Sequence, residues 1–155
     1  MTKPIPAGYH TVTPYLAFDE AADAIEFYKD AFGATERSRM EAPGGKIGHA
    51  ELEIGDSIVM LADTFPQSTT KSPRKLGAAT GAVFLYVSDV DKVVKQAVKA
   101  GAKVTQEVED MFWGDRFGTI TDPFGHVWSI ATHVEDLTPE QIAERARHAM
   151  ATAGD

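Results

Sequence analysis

The sequence predicts an α+β fold made of two tandem βαβββ modules and a C-terminal helix. Three observations carry that prediction. The order strand, helix, three strands is spelled twice; a Gly-Ala pair closes each helix, at Gly33-Ala34 and Gly101-Ala102; and the hairpin glycines Gly55 and Gly125 follow those helix ends after similar intervals of 22 and 24 residues. Self-similarity of this kind marks an internal duplication.

The first module spans residues 9 to 63. Thr11 to Phe18 reads as a strand, and Pro14, which cannot donate to a ladder, assigns it to an edge or a bulge. Asp19 stands where an N-cap belongs, Ala21, Ile25, Tyr28 and Phe32 recur at helical spacing, and Gly33 stops the helix. Ala34 to Glu41 is a polar strand, Pro43-Gly44-Gly45-Lys46 a hairpin turn, and Gly48 to Ile54 a strand with Ala50, Leu52 and Ile54 on one face. After the turn at Gly55-Asp56, Ser57 to Leu61 forms a short buried strand. Residues 64 to 81 hold serine, threonine, proline and lysine without an apolar period, which is the composition of a linker.

The second module spans residues 82 to 134. Ala82 to Val87 is a strand, Ser88 or Asp89 the cap of a helix bearing Val90, Val93, Val94, Ala97 and Val98 on one side, and Gly101 its end. Lys103 to Val108 follows as a strand, and Phe117 to Thr121 and Val127 to Thr132 form a hairpin around Asp122-Pro123-Phe124-Gly125. Proline fixes φ there, the aspartate accepts from the backbone just beyond it, and glycine takes the positive φ that closes the loop. In the tail, residues 135 to 155, Thr138 caps a polar helix with Pro139 at its first position, running to about Met150.

Composition narrows the function. The 155 residues are 43% hydrophobic and 25% charged, the profile of a single globular domain. A chain of this length buries roughly two thirds of its unfolded surface, so its core needs no metal. The net charge of −8 weighs against nucleic acid and anionic membrane as partners. The absence of cysteine excludes thiolate chemistry and suits a reducing compartment, so a cytoplasmic location is expected. The N-terminus lacks the apolar run of a signal peptide, and no segment is long and apolar enough to span a bilayer.

The chemistry concentrates between Met111 and His133, where Trp113-Gly114-Asp115-Arg116 sets a large ring, a carboxylate and a guanidinium around a glycine. The tryptophan can stack on a planar ligand and Arg116 can hold a carboxylate or phosphate in its fork; equally, Asp115 or Glu109 can make Arg116 half of a structural ion pair. The duplicated βαβββ order with its Asp-Pro-x-Gly hairpin resembles the vicinal oxygen chelate superfamily of glyoxalases, bleomycin-resistance proteins and extradiol dioxygenases, over residues 9 to 134. Within it, Thr13-Pro14-Tyr15-Leu16, Ala24-Ile25-Glu26-Phe27-Tyr28, His49-Ala50-Glu51-Leu52 and the run Phe112 to Gly118 are similar to the PhnB-like branch.

The resemblance implies that each module curls into half of a cupped mixed sheet, and that metal-dependent members carry His or Glu at four strand positions. Here those positions are Thr13, Met60, Ala82 and Ser129, poor ligands for a divalent ion. No cofactor is therefore expected. A divalent metal in a rearranged site built on His10 or His49 is the alternative, with His133 a further candidate, whereas His126 reads as a solvated turn residue and His148 belongs to the tail. His49 and Glu51 share a strand face, so they can ligate or pair, although Glu53 continues that face toward solvent. Strand alternation would line the cup with Thr13, Tyr15, Phe84, Tyr86 and Ser129, and the expected ligand-binding residues are these with Met60, Trp113, Asp115 and Arg116. The function expected is binding of a small organic ligand in the cup, as a homodimer. The competing functions are a metal-dependent lyase, isomerase or dioxygenase, and a bleomycin-type sequestering protein whose acidity suits a cationic drug.

Overall fold

Strand β1 (Tyr15–Phe18) leads into α1 (Ala21–Phe32), and β2 (Thr35–Ala42), β3 (Lys46–Ile54) and β4 (Ser57–Asp63) complete the first module of the computed structural model, which describes residues 1 to 154. A short helix α2 (Pro73–Leu76) lies in the connection. Strand β5 (Ala82–Tyr86), α3 (Val90–Ala100), β6 (Lys103–Asp110), β7 (Asp115–Thr121) and β8 (Val127–His133) then repeat the order, and α4 (Pro139–Thr152) follows. The strands form two four-stranded sheets in the orders β1-β4-β3-β2 and β5-β8-β7-β6. Each is mixed, with β1 parallel to β4 and β5 parallel to β8 while the remaining neighbours are antiparallel.

The duplication extends to individual hydrogen bonds. The Ala21 amide at the start of α1 donates to Asp63 Oδ1 at 2.8 Å, and the Val90 amide at the start of α3 donates to Thr132 Oγ1 at 2.8 Å. Both acceptors lie 42 residues further on, at the end of the strand paired with the one that precedes the helix. In the first module this bond replaces the expected cap. Glu20, rather than Asp19, occupies the N-cap position and makes no side-chain cap, because the distant Asp63 already serves the helix amide. Asp89 caps α3 in the ordinary way by accepting from the Lys92 amide.

Other boundaries shift for local reasons. The first strand starts at Tyr15, not Thr11, so Thr13 and Pro14 precede it, although the Pro14 carbonyl still accepts from the Met60 amide at 2.9 Å. The edge position inferred from Pro14 is the one observed. The connection is not structureless, since Ser72 accepts from the Lys75 amide and Pro73 opens the turn α2. The tail helix has a full capping box between Thr138 and Gln141 and buries none of its residues.

Helices α1 and α3 share one continuous core with both sheets, to which Phe18, Ile25, Tyr28, Leu52 and Leu61 contribute from the first module and Val90, Val94, Ile120, Trp128 and Ile130 from the second. The modules are joined through the Asp-Pro-Phe-Gly turn. Asp122 is buried, and its Oδ2 accepts from the Tyr28 hydroxyl at 2.5 Å and from Trp128 Nε1 at 2.9 Å. Its Oδ1 accepts the Phe124 and His126 amides at 2.9 Å, as the turn chemistry predicts. Burial and the neighbouring carboxylate raise the Tyr28 phenol well above its ordinary value, so it remains a donor.

Asp122→Ala leaves the Tyr28 hydroxyl and the Trp128 indole N–H buried without an acceptor. At about 1 to 3 kcal/mol for each unsatisfied group, the expected loss is about 2 to 6 kcal/mol. Thermal unfolding should show a fall in melting temperature of about 5 to 20 °C for a chain of this length, and a melt within about 2 °C of the parent protein would refute the bridging role.

Candidate functional site

Where the modules meet, β1 and β5 border a crevice of about 550 Å³. Tyr15 and Ala17 come from one strand, Ala82 and Phe84 from the other, and the connecting segment from Thr70 to Gly81 roofs it with Pro73 and Leu76. The two aromatic walls occupy corresponding places: Tyr15 pairs with Met60 across β4, and Phe84 with Ser129 across β8. Both rings are half exposed, Tyr15 at 49% and Phe84 at 47%. Exposed aromatic side chains on a strand bordering a concave space form the kind of lining a small organic ligand uses.

From Phe84 the aromatic surface continues over the second sheet. Its ring lies 5.0 Å from Tyr86, which is 65% exposed, and 5.7 Å from Phe117, which Trp113 meets edge-on at 5.6 Å. Beneath these rings sits the carboxylate of Asp115, only 2% exposed. Its Oδ2 accepts from the Tyr86 hydroxyl at 2.8 Å and from Trp113 Nε1 at 3.0 Å, and its Oδ1 lies 2.9 Å from His133 Nδ1. His133 Nε2 is in turn 2.8 Å from Asp136 Oδ1. Burial alone would push the Asp115 carboxyl up; the hydrogen bonds from His133, Tyr86 and Trp113 outweigh it and hold the group below its ordinary value.

Gly114 explains why this cluster can form. Its carbonyl accepts the Val134 and Glu135 amides at 3.0 Å, and its φ is +99°. A Cβ there would lie 2.3 Å from the Glu135 carbonyl oxygen, so only glycine lets the two segments close with Trp113 and Asp115 against His133.

The structure thus brings Tyr15 and Phe84 to one crevice and Tyr86, Trp113 and Asp115 to one adjoining cluster. Met60 and Ser129 lie on the strands behind the aromatic walls, and Thr13 is half-buried ahead of β1; none of the three lines the crevice. Arg116 is elsewhere. It follows Asp115 on β7 and so projects to the other side, where its fork meets Asp91 on α3 at 2.7 and 3.0 Å and Asp110 at 3.2 Å. Those pairs raise its pKa, and its partners are neither Asp115 nor Glu109.

Two histidines differ from their sequence reading in informative ways. His126 is not a solvated turn residue: its Nε2 lies 2.8 Å from the Ala17 carbonyl oxygen, its ring packs 4.7 Å from Phe18, and it lines the crevice. Nothing in the local sequence shows this, because its partners belong to the other module. His49 pairs with Glu51, Nε2 to Oε1 at 3.2 Å, and touches the Tyr15 hydroxyl through Nδ1 at 3.1 Å. His10 contacts only the Asp56 carbonyl at 3.2 Å. Sequence reading missed Tyr9, whose hydroxyl donates to Glu51, and Lys71, which lines the crevice.

A family model of the Glyoxalase/Bleomycin resistance protein/Dioxygenase superfamily matches residues 9–130. The chain belongs to this superfamily. Among superfamily-related sequences, an uncharacterized protein of Mycobacterium bovis is 41% identical over 147 residues, covering 93% of this chain and 94% of its own. The crystal structure of TioX from Micromonospora sp. ML1 aligns at a TM-score of 0.64 with 31% identity, covering 81% of this chain and 99% of TioX. A PhnB protein from Bacillus cereus shares the fold at a TM-score of 0.61 and 17% identity, over 79% of this chain and 99% of its own. The metal that the superfamily implies does not suit the donors present. The four positions that the resemblance points to, Thr13 ahead of β1 and Met60, Ala82 and Ser129 on strands, carry no imidazole or carboxylate, and among the described residues no three His, Asp or Glu side chains gather into a ligand set.

The Asp115 cluster sets a pH dependence. The hydrogen bond to Asp115, then that to Asp136, raises the His133 imidazole above its ordinary 6.5. A raised folded value means that the pair stabilises the native state fully below about pH 6.5 and loses that contribution as pH rises through the folded pKa. Asp115, held below 3.8, acts in the opposite sense, contributing above that pH and losing its contribution on further acidification. NMR titration should place His133 above an unstructured histidine, and Asp115→Asn should bring it down; an unmoved titration contradicts the pairing.

Proposed function

We propose that the chain is a metal-independent, small-molecule-binding member of the PhnB-like branch, holding a planar organic ligand in the crevice between β1 and β5. The observation that carries this reading is the pairing of Tyr15 and Phe84 as exposed aromatic walls of one roofed cavity of about 550 Å³. A volume in this range suits a compact organic molecule. Trp113, Tyr86 and Asp115 extend the surface from the Phe84 side, and the motifs Thr13-Pro14-Tyr15-Leu16 and Phe112 to Gly118 support the placement in the branch. Binding without a resident ion is supported by Thr13, Met60, Ala82 and Ser129 standing where the resemblance would place metal ligands.

The same reading includes a homodimer. Each sheet leaves an outer edge strand open, β2 and β6, with Met40 exposed on β2, and a second copy related by a twofold axis is the commonest cover for such edges. A cytoplasmic location accords with the lack of cysteine.

Three measurements test this. A thermal-shift screen of planar organic compounds, followed by titration, should yield a ligand whose affinity Phe84→Ala lowers by about 1 to 2 kcal/mol, the usual worth of an aromatic anchor; a hit insensitive to both Phe84→Ala and Tyr15→Ala lies outside the crevice and removes the proposal. Elemental analysis of dialysed protein should find no stoichiometric zinc, nickel, manganese or iron, and light scattering should return about twice the 16.8 kDa chain mass. One metal per chain, lost on changing His49, would restore a metal-dependent reaction.

A further inference from the structure

Four side chains on and beside the first sheet form an unbroken hydrogen-bonded chain that ends at the crevice. Tyr9 donates to Glu51 Oε2; Glu51 Oε1 lies 3.2 Å from His49 Nε2; His49 Nδ1 lies 3.1 Å from the Tyr15 hydroxyl; and Tyr15 is a wall of the cavity. The direction of every proton follows from the carboxylate end. Glu51, with only 15% of its side chain exposed, is held below the ordinary carboxyl range by the Tyr9 hydrogen bond, against the push of burial, with further help from His49. An ionised carboxylate only accepts, so His49 carries its proton on Nε2. In the neutral imidazole that leaves Nδ1 bare, so it accepts from the Tyr15 hydroxyl. The Tyr15 oxygen keeps its lone pairs for a further donor.

This is the connectivity of a hydroxyl, an imidazole base and an orienting carboxylate, with Tyr9 and the Arg37 guanidinium, 5.4 Å from the Tyr9 ring, behind it. The imidazole is also fixed in angle, stacked on the Tyr15 ring with centroids 5.5 Å apart. We propose that Tyr15, His49 and Glu51 form a proton relay opening into the crevice, which takes up the hydroxyl proton of a planar phenolic or enolic ligand and binds that ligand as its anion. The ligand O–H bond breaks and its proton passes to Tyr15 Oη. The proton of Tyr15 passes to His49 Nδ1, and the resulting imidazolium rests against Glu51. No charge is lost or gained: the ligand oxygen becomes anionic, accepting a hydrogen bond from Tyr15, and His49 becomes cationic. Lys71, on the wall of the same crevice, supplies a second positive group for the anion. Apolar walls from Leu16, Pro73, Leu76 and Phe84 suit the flat carbon frame.

The relay rests on the crevice reading above, and 4-nitrophenol tests the two separately, because its anion has its own visible absorption. Wild-type protein is titrated with 4-nitrophenol across pH, alongside Tyr15→Phe, His49→Gln and Glu51→Gln, with each variant's melt recorded to confirm folding. The bound phenol should ionise about one pH unit or more below the free compound, a tenfold or greater change in its acid equilibrium. Tyr15→Phe and His49→Gln should still bind it but lose that displacement, with Glu51→Gln intermediate. Binding with the same ionisation in wild type and His49→Gln overturns the relay and leaves the crevice reading standing. No saturable binding to the wild-type protein, or binding untouched by Phe84→Ala, overturns both.

Discussion

One buried carboxylate holds the two halves of this molecule in register. Asp122 closes its own hairpin through two backbone amides and reaches across the duplication to the Tyr28 hydroxyl on α1, while Trp128 of its own module donates to the same oxygen. A charge removed from water is tolerated only when its lone pairs are filled, and here four donors fill them. The requirement is mutual. Tyr28 and Trp128 bury their polar atoms only because Asp122 is there, and the rings around them, Phe18, Phe27, Phe32 and Phe124, stack in edge-on and parallel contacts that hold the carboxylate dry. This contact, with His126 bonded to the Ala17 carbonyl and α1 and α3 sharing one core, fixes where β1 lies relative to β5, and so shapes the crevice.

Strand alternation then divides labour between adjacent residues. Asp115 and Arg116 are neighbours in sequence and serve opposite sides of β7: the first organises Tyr86, Trp113 and His133 under the aromatic surface, the second ties the strand to α3 through Asp91. Half-exposed ion pairs of the second kind fix orientation more than they add stability. Such a division lets the aromatic surface change without disturbing the attachment of the helix.

The architecture was legible in the sequence because each of its signals is local. Gly33 and Gly101 end helices, Pro14 marks an edge strand, and Asp122-Pro123-Phe124-Gly125 specifies a turn by its own backbone chemistry. What the sequence concealed was every contact between distant segments. Asp63 serving the start of α1, His126 bonded to the Ala17 carbonyl, and Tyr9 bonded to Glu51 all join residues at least 42 apart, and no periodicity records them. Arg116 shows the limit most clearly: Asp115 and Glu109 stand close to it in sequence, yet Asp91, 25 residues away on a helix, takes its fork. The aromatic walls fell between these cases, since alternation along β1 and β5 gave Tyr15 and Phe84 corresponding places but could not show that the connecting segment lies beside them.

That cover has a consequence of its own. Between β1 and β8, the strands, their hairpins and the helices α1 and α3 exist in two copies, but the connection between the modules exists once. Its short helix α2 is anchored to the second module's turn, with the Arg74 guanidinium bonded to the Pro123 carbonyl at 2.8 Å and Pro73 lying against Gly125. Duplication by itself would give a pseudo-symmetric molecule with two equivalent faces; a single asymmetric cover over the junction of those faces makes a partly open crevice there. Because the roof carries no sheet hydrogen bonds, its residues can be exchanged without altering strand pairing, and the shape of the crevice can change while the scaffold around it stays the same.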